Sequence, residues 1–207
     1  MKKLIYIIVT LVITFTGCNQ NRKAESSERA GRIKADSIKI KYAKGFKVRS
    51  YADYKLIDVT DPSGESDMHY KYAFLSKGGN REGIPSDYQI IETPVNRVIC
   101  MTTLQLSNFI KLGALDKVVG ITSTRFLFNE QMNRQLEEAK TNKIGIEGEF
   151  DSEIVTALNP DIILVSPFKK GGYDAIRNLD IPLISFLGYK ESSPLGQAEW
   201  IKFTAML

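Results

Sequence analysis

The chain has 207 residues, 43% of them hydrophobic and 25% charged, the ordinary make-up of a globular protein. That balance excludes wholesale disorder, a collagen-like repeat and a multispan membrane protein, and the length allows one or two domains. A net charge of +4 without a dense basic stripe predicts no nucleic-acid partner, and two Cys with a single His argue against a disulfide framework or a direct metal cage.

Residues 1–17 read as an address. Lys2 and Lys3 form a positive start, and residues 4–15 are a 12-residue apolar run. As a helix that run reaches about 18 Å, against roughly 30 Å of bilayer hydrocarbon, which suits a secretory signal better than a membrane span. Thr16 and Gly17 then precede Cys18. Small residues before a Cys at the end of such a run resemble a bacterial lipobox, with Phe15 where an aliphatic residue is usual. The resemblance implies cleavage before Cys18, a diacylglycerol on its sulfur, and a protein anchored by lipid to the membrane outside the cytoplasm. An uncleaved short anchor with a free thiol is the other reading. Cleavage would also remove Lys2 and Lys3, so little rests on the basic balance.

Residues 18–37 mix both charge signs with Ser and Ala, and only Ile33 is strongly apolar. Such a segment buries too little surface to offset its ordering entropy, and it is expected to be a flexible tether. Residues 38–93 change to period two. Ile38, Ile40 and Tyr42 alternate with lysines, and residues 54–59 and 70–75 are further strand candidates. Asp61-Pro62-Ser63-Gly64 and Lys77-Gly78-Gly79-Asn80 supply turns. A small antiparallel section with one wet face is expected, its tyrosines half-buried.

Residues 94–193 take the rhythm of strand, turn and helix. Residues 95–101 form an apolar-leaning strand, within which Cys100 is expected to be a buried, inert thiol. Thr102 and Thr103 can cap a helix that carries Leu104, Phe109, Ile110 and Leu112 and ends at Gly113. Residues 117–121 form a second strand, and residues 129–140 a polar helix with Met132 and Leu136 inward. Asp151 caps a helix through Ile154, Val155 and Leu158, which Asn159-Pro160 ends. Residues 162–165 are a buried parallel-type strand, residues 171–179 are helical, and residues 183–186 are another strand. Strands separated by helices predict an α/β fold with a parallel sheet flanked by helices. Ligands of such sheets bind beyond the carboxyl ends of the strands.

The stretches PVNRVICMTTLQLSNFIKLGALDKVVGITSTR, EIVTALNPDIILVSPF, LDIPLISF and SPLGQAEWIKF resemble, in order and spacing, the substrate-binding lipoproteins of bacterial ABC importers for iron-siderophores, haem and cobalamin. The strongest pieces are LGALDKVVG, which begins at Leu112, and LNPDIIL, which begins at Leu158. The resemblance runs from about Pro94 to the end of the sequence. It implies two α/β lobes joined by a long spine helix, with ligand held between them. Residues 194–207 then open the spine helix, and about half of the family's length, the second lobe, lies outside this sequence. Without a second cleft wall, a ligand loses much of its buried surface.

The resemblance also implies roles. Glu153 stands where relatives carry an acidic residue that salt-bridges to the permease, and a carboxylate on the lobe's rim is suited to register docking on a basic surface. The alternative is that Glu153 only favours the positive end of its own helix. Arg125 suits a carboxylate or catecholate on a chelated metal. Phe126, Phe150, Phe168 and Tyr189 lie near strand-end loops and can wall a flat ligand, or serve as local core. Thr102 and Thr103 can hydrogen-bond ligand as well as cap. Trp200 and Phe203 are expected to pack against the lobe.

Catalytic signatures are missing: there is no Gly-rich phosphate loop, no His-Glu-x-x-His and no Gly-x-Ser-x-Gly. The expectation is a non-enzymatic binding protein without a covalent cofactor. It captures an iron-siderophore, haem or cobalamin and hands it to an importer permease. A lobe that does not retain ligand and an enzyme on the same scaffold are the rival readings.

Overall fold

The computed structural model describes residues 38–122, 127–146, 149–167 and 173–207. Residues 38–42 are irregular, with bends at Lys41 and Tyr42, and do not form the strand that their alternation suggests. Backbone N–H groups of Lys41, Tyr42 and Ala43 donate to the Glu199 carboxylate, while Ile38, Ile40 and Ala43 pack on the core. The alternation therefore reflects an extended segment held by a side chain, and its donors are not available to a neighbouring strand.

Strands β1 (Phe46–Ser50), β2 (Tyr54–Thr60) and β3 (His69–Ser76) form an antiparallel meander. A fourth strand that the sequence reading does not anticipate, β4 (Gln89–Thr93), joins β3 in parallel and makes the sheet mixed. Alternation divides its faces as a pleat requires. Phe46, Ile57, Val59, Tyr72 and Phe74 join the main core, while Leu56, Ala73, Leu75 and Tyr88 make a smaller cluster on the other side.

The second sheet holds β5 (Val98–Cys100), β6 (Val118–Ile121), β7 (Asn142–Lys143), β10 (Ile162–Val165) and β11 (Leu183–Ser185). All its pairings are parallel, in the order β11-β10-β5-β6-β7, with a hairpin of β8 (Gly145–Ile146) and β9 (Glu149–Phe150) beyond β7. Every residue of β5, β6 and β10 is buried, which is why these strands read as continuous apolar runs.

Helices cover both faces. On one face lie α1 (Thr103–Leu112), with Leu106 and Phe109 inward, and α2 (Glu130–Glu137), with Met132 and Leu136 inward. On the other lie α3 (Ser152–Ala157), through Val155, and α4 (Asp174–Arg177), through Ile176. The caps are those their residues favour. Thr102 and Gln105 form a capping box, Gly113 closes α1 at φ 68°, and Asn129 and Asp151 cap α2 and α3.

The C-terminal stretch forms two short helices, α5 (Pro194–Glu199) and α6 (Ile201–Thr204), divided at Trp200. Trp200 is fully buried among Phe46, Phe186 and Phe203, with ring centroids 4.7 to 5.4 Å away. Two glycines make room for it: a Cβ on Gly45 would lie 2.8 Å from its ring, and one on Gly188 3.0 Å from it. Its Nε1 donates to Glu191 at 3.0 Å, and Glu191 also accepts from the N–H groups of Lys44 and Gly45. Two carboxylates near the C-terminus thus hold residues 41–45 against the lobe. Nearby, the buried Asp61 takes Lys190 at 2.8 Å and the hydroxyls of Ser63 and Ser66. Burial would raise its pKa, but those donors outweigh it and hold the carboxyl well below the usual range.

Candidate functional site

The order of the parallel strands places a topological switch between β5 and β10. The chain leaves β5 through α1 on one face and leaves β10 through α4 on the other, so the loops above these strands diverge. A crevice at that point is where open α/β sheets take ligands.

At the crevice the strand-end backbone is tied by buried side chains. Gln105, fully buried, accepts from the N–H groups of Met101 at 2.7 Å and Thr102 at 3.1 Å. Its amide nitrogen reaches Ser166 Oγ at 3.5 Å, across to the loop after β10. Thr122 Oγ1 donates to Met101 O at 2.7 Å, and Tyr173 donates to Ser166 O at 3.0 Å. The crevice floor is therefore a fixed polar platform, because unpaired groups buried there would cost about 1–3 kcal/mol each. Gln105 was not singled out from sequence. Its signal was the Thr-x-x-Gln spacing of a capping box.

Each expected site residue has a definite place or lies outside the described residues. Thr102 is half-buried at the crevice, and its hydroxyl accepts from Gln105 N at 3.3 Å. Thr103 is exposed at the first position of α1. Tyr189, 37% exposed, sits in the short 3-10 turn Gly188–Lys190 after β11. Phe150 lies deeper: it is buried, stacks on Tyr173 at 5.7 Å and packs with Ile144 and Val155. Glu153 stands exposed at the start of α3. Asp151 Oδ1 caps that helix by accepting from Glu153 N and Ile154 N, both at 3.0 Å. Capping thus leaves the Glu153 carboxylate facing solvent, with no polar partner among the described residues. Cys18, Arg125, Phe126 and Phe168 lie outside the described residues.

Cys100 is a buried free thiol whose pKa burial pushes far up, so it is no nucleophile. Among the described residues no group of three or more His, Cys, Asp or Glu side chains is placed to hold a metal ion. No helix among them is long and apolar enough to cross a membrane.

No family model matches the chain. Two uncharacterized lipoproteins of Methanocaldococcus jannaschii are 22% and 24% identical to it, over 96% and 99% of this chain and 53% and 57% of their own lengths. The chain thus spans about half the length of the curated relatives it matches. Among solved structures, the petrobactin-binding protein YclQ of Bacillus subtilis is 16% identical, covering 72% of this chain and 48% of that one at a TM-score of 0.43. Other similar structures include a periplasmic haem-binding protein, a vitamin B12-binding protein and a molybdate-binding protein, at TM-scores of 0.34 to 0.39.

Proposed function

We propose that the chain supplies a ligand-binding lobe of a lipid-anchored, extracytoplasmic substrate-binding component of an ABC importer. Its cargo is a chelated metal or corrinoid: an iron-siderophore, haem or cobalamin. The observation that carries this reading is the polar crevice at the switch between β5 and β10, built from the segments whose sequence resembles that family. The lipobox at Cys18 and the curated relatives' description as lipoproteins support anchoring through lipid on Cys18.

The work is non-covalent. Thr102 and Thr103 follow β5 at the crevice, and Tyr189 stands in the turn after β11. Arg125, Phe126 and Phe168 belong by sequence to the same set of strand-end loops. A preorganised wall of this kind binds without first paying to order itself. Isothermal calorimetry of the gene's full product against ferric siderophores, haem and cobalamin tests the reading. Saturable binding of one class, with a Kd of about 1 µM or tighter, is expected. Absence of binding to all three rejects it.

Delivery requires docking, and Glu153 is the proposed contact with the permease. A solvent-facing carboxylate relieved of capping is free to meet a basic surface. Glu153→Lys should abolish permease-dependent uptake while leaving ligand affinity within about twofold, because like charges then oppose each other at the docking surface. Uptake at the unsubstituted rate would remove Glu153 from the interface.

A further inference from the structure

The described part of the chain begins with its most basic stretch. Lys39, Lys41, Lys44, Lys47 and Arg49 fall within eleven residues, and no Asp or Glu stands between Asp36 and Asp53. The rest is acidic: residues 50–207 hold 16 Lys and Arg against 21 Asp and Glu. Charge separated in this way favours one orientation of the molecule towards a charged surface.

Packing turns these cations outward. Ile38, Ile40 and Ala43 pack on the main core and Phe46 is buried in it, while the lysines among them are exposed. Lys47 and Arg49 lie on the face of β1 opposite Phe46 and Val48, away from the parallel sheet. Arg49 is shared with Asp58 at 3.1 Å, but the ammonium groups of Lys39, Lys41, Lys44 and Lys47 meet no carboxylate among the described residues. The two acids behind the stretch are buried and engaged. Glu199 takes Lys202 and the N–H groups of residues 41–43, and Glu191 takes Trp200 Nε1 and the N–H groups of Lys44 and Gly45.

We propose that residues 39–49 are a membrane-contact face, whose lysines lie against anionic lipid headgroups and turn the parallel sheet away from the bilayer. Lipid on Cys18, as proposed above, is the premise. Nineteen residues separate Cys18 from Ile38 and span at most about 70 Å, so the basic stretch is the described part nearest the anchor along the chain. The acyl chains hold the protein to the bilayer, and the lysines set which side faces it. Each cation at an anionic surface favours contact by about fivefold, an attraction that salt screens.

Energy transfer from Trp200 to a dansyl-labelled headgroup lipid tests this. Trp200 is the sole tryptophan and sits directly behind the stretch, where a Cβ on Gly45 would lie 2.8 Å from its ring. The full 207-residue chain, made in bacteria so that Cys18 can be processed, is added to vesicles of phosphatidylcholine and of equal parts phosphatidylcholine and phosphatidylglycerol. It should attach to both, with transfer about twofold higher on the anionic vesicles and equal on the two in about 1 M salt. Lys39→Gln, Lys41→Gln, Lys44→Gln and Lys47→Gln combined should abolish the rise. Lys111→Gln with Lys143→Gln, exposed changes on α1 and β7, should keep it. Attachment to both vesicles with equal transfer overturns the contact face and leaves the anchor standing, and so does a rise that persists in the four-lysine variant. Attachment to the anionic vesicles alone, lost in that variant, supports the face and rejects the anchor. Attachment to neither overturns both.

Discussion

Replacing Trp200 by alanine is expected to cost about 3–5 kcal/mol of stability, the range for deleting a fully buried large aromatic. The indole fills the junction of three parts of the molecule. It meets Phe46 of the mixed sheet at 4.8 Å, Phe186 after β11 at 4.7 Å and Phe203 of α6 at 5.4 Å. The surroundings cannot close over a cavity there. Gly45 and Gly188 bring backbone, not side chain, to the ring, and backbone in paired segments moves little. The substitution also removes the Nε1 donor from Glu191, whose side chain is buried and whose remaining donors are the N–H groups of Lys44 and Gly45. Domains are stable by about 5–15 kcal/mol in all, so the loss is a fifth or more of what is available. Urea unfolding followed by circular dichroism is the suitable probe, because Trp200 is the sole tryptophan and its fluorescence disappears with it. Trp200→Phe should recover part of the loss, restoring ring packing but not the donor. A midpoint shift worth less than about 1 kcal/mol would mean that the junction is not the core described above.

The parts that were legible in the sequence share one property: their pattern is local. Ile162, Ile163, Leu164 and Val165 announce a strand buried on both faces, and they form one. Asp151, Asn129 and Gly113 act within their own turn, so residue type and position sufficed. The mixed sheet was less legible. Residues 89–93 pair in parallel with β3, and a parallel partner leaves no hairpin signal between the strands. Residues 38–42 misled because an extended segment has the same period of two whether another strand or a carboxylate holds it. Glu199 lies 158 residues from Lys41, and on a short helix it reads as an ordinary solvated residue. The crevice was readable only as a set of strand-end loops. Gln105 and Ser166 are 61 residues apart, and their meeting depends on the order of the strands, which the sequence pattern leaves open. The contact between the two sheets lies further from local reading still: Tyr72 and Ser185 are 113 residues apart and belong to different sheets.

Acid should release residues 41–43 from the lobe before the lobe itself unfolds. Glu199 is 6% exposed, and burial alone would raise its pKa. Lys202 Nζ at 2.7 Å and the N–H groups of Ala43, Lys41 and Tyr42 outweigh burial and bring the carboxyl down to about 2. A depressed carboxyl contributes stability that is complete above its unfolded pKa, ordinarily about 4.3, and is lost as pH falls through the folded value. The window is therefore roughly pH 4.5 down to 2. The linked free energy is at most about 3 kcal/mol, reduced by solvent at the Lys202 side, which is 41% exposed. The segment released, residues 41–43, lies in sequence between the folded lobe and the part of the chain that carries Cys18. Amide shifts of Lys41, Tyr42 and Ala43 should titrate together with a midpoint near 2, while those of β10 stay fixed through the same range. Glu199→Gln should abolish that joint titration and detach the segment at neutral pH, because an amide sets two N–H donors against backbone donors and cannot accept at both positions. Amides that titrate at the ordinary glutamate value, or that keep their native shifts in Glu199→Gln, would show that the carboxylate does not hold the segment.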